Sequence, residues 1–200
     1  MDDAMAVANA VPRAIHLERQ RDFATDPAYG IEQLQTIAWT SISTAKSNPA
    51  PGSLVINNLR DMLAHWSAGE EAADETPLPV VYRDDVPAQL FDAFESLAVV
   101  ASESMQHQSI TEIIHTLAMM FDRLPPDWQQ RTEDLILRII SSLGDYVLTA
   151  GLDAALTALV RTLADAMRLD TAGAVQAAQA GLRASVGHLH SRSTRATASG

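Results

Sequence analysis

With 200 residues, 47% of them hydrophobic, the chain is long enough to bury one real core and lies well away from disordered composition. Its formal charge of −11 argues against nucleic acid as a partner, because duplex binding needs many phosphate-neutralising Lys and Arg side chains. There is no cysteine, which excludes disulfides, thiolate metal sites and cysteine nucleophiles.

The charge is unevenly spread. Arg60 to Glu103 holds ten acids against two arginines, whereas Arg13 to Arg21 holds three arginines and one acid. The tail from Arg183 has three arginines and no acid. These basic ends read as solvated termini. No apolar run approaches the roughly 18–20 residues that span a bilayer. The first stretch carries Asp2, Asp3, Asn9 and Arg13 in place of a signal peptide's continuous apolar block. As written, the chain is expected to be soluble and cytoplasmic, touching a membrane only indirectly.

Residues 1–24 read as a lead-in segment, partly helical, interrupted at Pro12 and strengthened from Arg13. The first firm helix begins at Asp26-Pro27 and runs to about Ser43, with Ile31, Leu34, Ala38 and Ile42 on one stripe. Ile37 and Trp39 widen that stripe, so burial on more than one side is expected. Thr44 to Ser47 turns the chain. A second helix begins at Asn48-Pro49 and continues to about Trp66, with Val55, Leu59, Met62, Leu63 and Trp66 at helical spacing. Each of these helix starts pairs a capping side chain with proline at the first helical position, where its missing N–H costs nothing. Pro51 is tolerable because it falls in the first turn. A glycine follows in each case, Gly30 or Gly52, and leaves room for a neighbour to come close.

Ser67 to Pro79 reads as a linker, and Val80-Val81-Tyr82 allows at most one very short extended piece near 80–83. Asp85, with Pro87 just inside, opens a third helix carrying Leu90, Phe91, Phe94, Leu97, Ala98 and Ala101, ending near Gln106 to Gln108. Ser109-Ile110-Thr111-Glu112 has the spacing of a capping box and is expected to start a fourth helix, with Ile113, Ile114, Leu117 and Phe121 inward. Leu124-Pro125-Pro126-Asp127 ends it and begins a fifth, lining up Leu135, Ile139, Leu143 and Val147, with Gly144 and Gly151 bracketing its end. Leu152, Leu156, Leu159, Leu163 and Met167 then recur at spacings of four and three, and a last helix follows Asp170-Thr171 to about His190. The expected fold is all-α, a compact bundle of about six to seven helices. Residues 25–147 form the main helical domain, 148–190 an Ala/Leu-rich hairpin and 191–200 a disordered tail.

Chemistry is thinly signalled. Glu112 and His115 have E-x-x-H spacing, but a di-metal bundle needs that motif twice, with two further glutamates, and there is no second copy. Asp61/His65 and Glu103/His107 are acid–histidine pairs four apart, which read as ordinary helix-surface contacts. His188 and His190, two apart, face different ways on a helix. Nucleophile elbows, H-E-x-x-H, Walker-type loops and G-x-G-x-x-G are missing from the sequence. No catalytic residue, metal ligand or cofactor is assigned.

One stretch carries a resemblance. Arg21, Phe23, Asp26, Pro27, Tyr29, Gly30, Ile31, Gln33, Leu34, Ile37 and Ala38 follow the pattern R-x-F/T-x-x-D-P-x-Y/F-G-I-x-Q-L-x-x-I-A. This resembles the bacterial predicted membrane protein family known as domain of unknown function twenty-two fifty-four. A second block of that family, A-L-S-P-x-x-N-D-P-x-T-A, is similar to Ser41 through Gly52. There Ser43 and Pro49 match, while Ser47 and Asn48 stand where the family has Asn-Asp. The resemblance covers about Arg13 to Val147. It implies a soluble, carboxyl-side domain whose relatives carry membrane helices ahead of this region, and it implies no reaction.

The leading expectation is a non-enzymatic interaction or regulatory domain that packs against a membrane-protein partner or its own copy. The Leu152 to Met167 stripe serves either as an intramolecular hairpin or as a dimer seam. The rival reading is a small-ligand or anion-binding domain, or an enzyme, with Arg21, Asp26, Gln33, Ser43, Lys46 and Asn48 as binding residues.

Overall fold

A computed structural model describes residues 21–22, 26–44, 50–71 and 85–185. Seven α-helices and no strand occur among them: α1 (Pro27–Thr44), α2 (Ala50–Glu71), α3 (Val86–Glu103), α4 (His107–Met120), α5 (Pro126–Ser141), α6 (Ala150–Asp165) and α7 (Leu169–Ser185). Short 3-10 turns, Phe121–Arg123 and Leu143–Asp145, follow α4 and α5. The all-α expectation holds. The helix start at Asn48-Pro49, the 72–84 stretch with its candidate extended piece, and the tail beyond Ser185 lie outside the described residues.

α1 forms where its sequence starts it. The Asp26 carboxylate accepts the Tyr29 N–H at 3.0 Å, and Pro27 occupies the first position without wasting a donor. Ile31, Ala38 and Ile42 are buried on its inner face. α2 folds back along it and buries Val55, Ile56, Leu59 and Leu63. Gly52 permits that approach, since a Cβ there would stand 2.8 Å from Ile42 Cγ1. Gly30 has no such role, with nothing within 4 Å of a Cβ placed on it.

α4 lies at the centre, packed against α2, α3 and α6, and its Ile110, Ile113, Ile114 and Leu117 are almost fully buried. α1 also packs on α3, while α7 joins α6 to α5. The Leu152, Leu156, Leu159 and Leu163 stripe is therefore buried inside this chain, against α4. At roughly 1.5–3 kcal/mol for each fully buried leucine, the four hold α6 in the common core and leave no seam for a second copy.

Several boundaries differ from the sequence reading, each for a local reason. α2 continues five residues past Trp66 because Ser67 is buried and its Oγ bonds to the Ala64 carbonyl at 3.0 Å, so helix replaces the start of the linker. α4 begins two residues before Ser109, whose buried hydroxyl has no partner among the described residues, so the capping box does not form. α5 ends at Ser141; Leu143 is in the following 3-10 turn and Val147 in the extended stretch beyond, so neither continues its stripe. Gly151 opens α6 rather than ending α5, behind the Thr149 cap that accepts the Leu152 N–H at 3.2 Å. Met167 leaves the leucine stripe altogether, being 74% exposed with φ 59°. Ile37 and Trp39 are half-exposed rather than buried, because α2 and α3 cover only the inner side of α1.

Candidate functional site

The start of α1 gathers three residues of the family-like motif into one knot. Arg21 Nε donates to Asp26 Oδ2 at 2.7 Å and Nη1 donates to Glu32 Oε2 at 2.6 Å. The same guanidinium lies 4.9 Å over the Tyr29 ring, within cation–π range. The Arg21 hydrogen bond, helped by the Tyr29 N–H, holds the Asp26 carboxyl below its ordinary range, and Asp26 in turn raises Arg21. A hollow of about 310 Å³ opens beside the knot between α1 and α3, lined by Arg21, Ala28, Ile31, Glu32, Gln35, Gln89 and Asp92.

The remaining sequence candidates are placed elsewhere. Gln33 is half-buried on α1, and Ser43 donates its hydroxyl to the Thr40 carbonyl of its own helix at 3.2 Å. Ten residues of helix separate the two by about 15 Å, so they do not converge on one ligand. Lys46 and Asn48 lie outside the described residues.

A second concavity was not anticipated by the sequence reading. α3 and α5 splay to leave a groove of about 190 Å³ floored by Ala98, Val99, Leu135 and Ile139. Arg138 Nη2 donates to Glu95 Oε2 across it at 3.1 Å, and Ser102, Glu103 and Ser142 complete the lining. The sequence did carry a signal for it: Leu97 to Ala101 is apolar at five consecutive positions, which encircles a helix at 100° per residue. One of the five had to face outward, and it is Val99, 53% exposed. Toward the start of α5, the same two helices close over an aromatic stack. The Phe91 and Trp128 rings lie 5.0 Å apart, Trp66 meets Trp128 edge-on at 5.8 Å, and Arg131 covers Phe91 and Trp128 while pairing with Asp92.

The histidine and acid motifs resolve into structural contacts. His107 Nε2 accepts the Val147 N–H at 3.2 Å, so Nδ1 carries the proton donated to the Met105 carbonyl at 2.9 Å. The ring thus ties the α3–α4 corner to the extended stretch before α6. Asp61 pairs with Arg60. Glu112 is half-buried and His115 exposed on α4, and among the described residues no three His, Cys, Asp or Glu side chains converge as a metal site. Glu133 is a buried carboxylate that sequence reasoning missed: Oε2 accepts the Thr171 hydroxyl at 2.6 Å. Its Oε1 stands 3.3 Å from Arg168 Nε, a charge contact out of line for a hydrogen bond. This trio pins the start of α7 onto α5.

Compared with known proteins, the chain matches no family model, no curated protein and no solved structure.

Proposed function

We propose that this chain is a non-catalytic, helical protein-interaction domain, related to the soluble part of the membrane-protein family that its Arg21–Ala38 motif resembles. One observation carries the reading: Arg21, Asp26 and Tyr29 of that motif are engaged in building a helix start, while the concavity with an apolar floor lies elsewhere, between α3 and α5. The groove fits an amphipathic helix, whether from a membrane-protein partner or from a second copy. Its floor of Ala98, Val99, Leu135 and Ile139 is apolar, so the complementary helix presents an apolar stripe.

The test uses Val99→Arg, a change at a half-exposed position that leaves the core intact. The purified chain and this variant are each panned against a displayed library of amphipathic helices. The reading expects helices with an apolar stripe that bind the parent chain and lose at least tenfold in affinity for the variant. Binders indifferent to the change, or no binders at all, would overturn it.

A further inference from the structure

The corner between α6 and α7 is built against its own sequence. Between Gly151 and Gly173 the chain has neither glycine nor proline, and Ala164, Ala166, Met167, Arg168 and Leu169 are all strong helix formers. No local signal ends a helix there, so the sequence by itself favours carrying α6 straight on into α7. The fold instead closes the turn with Met167 in a left-handed conformation, φ 59°, at a position where helices ordinarily place glycine. Met167 is 74% exposed, and Asp165, Leu169 and Asp170 around it are exposed as well, so the corner stands in solvent.

α7 is held by contacts that a second copy of this chain supplies equally well. Its buried face offers only two large apolar side chains, Val175 and Leu182, beside Thr171, Ala172 and Gln179. The rest is specific polar pairing. The Thr171 hydroxyl donates to Glu133 on α5 at 2.6 Å, and Arg183 donates to Asp153 on α6 at 2.8 Å. Gln179 Nε2 donates to the Asp153 carboxylate at 2.8 Å and to the Thr157 hydroxyl at 2.9 Å. A helix with so little apolar burial leaves its seat more readily than a central one, and such donor–acceptor pairs re-form in one register only. Met105 provides the contrast. It closes the α3–α4 corner at φ 54°, but α4 is the central helix, and Tyr146 and His107 tie that corner to the chain before α6. Strain there has no outlet.

We infer that α6 and α7 open at Met167 into one continuous helix, and that two copies of this chain exchange α7, each α7 docking on the α5 and α6 of the other copy. The exchange carries the α7 contacts over from within one chain to between two, and it relieves the left-handed residue in both. Continuous from Ala150 to Ser185, the opened helix would be about 54 Å long at 1.5 Å per residue. The inference concerns α7 and stands apart from the α3–α5 groove.

Substitutions at Met167 test this without touching the core. Met167→Gly frees the closed turn of strain and weakens the continuous helix. Met167→Ile acts in the opposite sense, because a β-branched residue is far worse at positive φ than in a helix. Met167→Gln leaves both conformations as they are and removes only the exposed apolar side chain. The full-length parent and the three variants are refolded from urea at millimolar concentration. Gel filtration with light scattering then gives the dimer constant of each, and circular dichroism verifies helix content. The inference expects a dimer that Gln holds within about threefold, that Gly weakens about a hundredfold or more, and that Ile strengthens. Gln and Gly weakening the dimer alike would overturn it, since an ordinary apolar contact at Met167 would then be the cause. So would a parent and an Ile variant that both stay monomeric.

Discussion

Met167 closes α6 in a left-handed conformation, φ 59°, that costs a side-chain-bearing residue roughly 1–2 kcal/mol and costs glycine nothing. The backbone enforces it: the Met167 N–H reaches the Ala164 carbonyl at 3.0 Å and the Arg168 N–H reaches the Leu163 carbonyl at 2.8 Å, a paired helix-ending motif usually built on glycine. Because the side chain is 74% exposed, Met167→Gly forfeits little burial. Glycine's extra freedom in the unfolded chain returns about 0.4–1 kcal/mol of the gain, leaving a net stabilisation of about 0.5–1 kcal/mol. At about 2–4 °C per kcal/mol for a chain of this length, Tm should rise by roughly 1–4 °C. Met105, at φ 54°, closes α3 in the same way but is half-buried against the core. Met105→Gly should therefore lose about 1–2 kcal/mol of apolar burial and gain no net stability. Thermal and urea unfolding followed by circular dichroism, with an unchanged m-value, reads both. A fall in Tm for Met167→Gly equal to that of Met105→Gly would refute the strain argument.

Gly52→Ala should destabilise by about 1–3 kcal/mol, since its new Cβ would meet Ile42 Cγ1 at 2.8 Å, whereas Gly30→Ala should stabilise by about 0.5–1 kcal/mol in open space; urea midpoints moving the same way would contradict this. Thr171→Val leaves the buried Glu133 Oε2 without its 2.6 Å donor and should cost about 1–3 kcal/mol, and a double-mutant cycle with Glu133→Gln should show coupling. Tyr146→Phe removes the buried hydroxyl that donates to the Ala101 carbonyl at 2.8 Å and should cost about 1 kcal/mol in chemical denaturation. Asp26→Asn should weaken the chain at neutral pH and match it in strong acid. A carboxyl whose folded pKa is lowered contributes stability above its unfolded value, and that contribution fades as pH falls through the folded one. A pH-independent difference between parent and variant would contradict this.

The periodic core was legible because burial follows spacing. Ile31, Ala38 and Ile42, then Leu90, Phe91, Phe94, Leu97, Ala98 and Ala101, then Leu152, Leu156, Leu159 and Leu163, all face inward at the positions their 3.6-residue period assigns. Helix ends were less legible, because they depend on tertiary contacts that no local motif contains. Ser109 and Glu112 have capping-box spacing, yet α4 starts at His107, whose ring bonds to Val147, forty residues away. The buried Glu133 was equally hidden, since its partners Thr171 and Arg168 become neighbours only when α7 returns along α5.

The candidate site shows how a distinctive motif can point to architecture instead of chemistry. Asp26 and Pro27 promised a capped helix start, and they make one. Arg21 has the charge of an anion ligand, but two carboxylates already surround its guanidinium and a tyrosine ring lies beneath it. A third anion arriving there would have to displace Asp26 or Glu32 from bonds of 2.7 and 2.6 Å, with only solvent-exposed charge attraction to drive the exchange. The α3–α5 groove has a different character: the Arg138–Glu95 pair spans it, but its floor is apolar and exposes Val99, whose coverage releases water. Arg21, Asp26 and Tyr29 are therefore spent on the start of α1, and the floor of Ala98, Val99, Leu135 and Ile139 is the surface where a partner gains burial without displacing them.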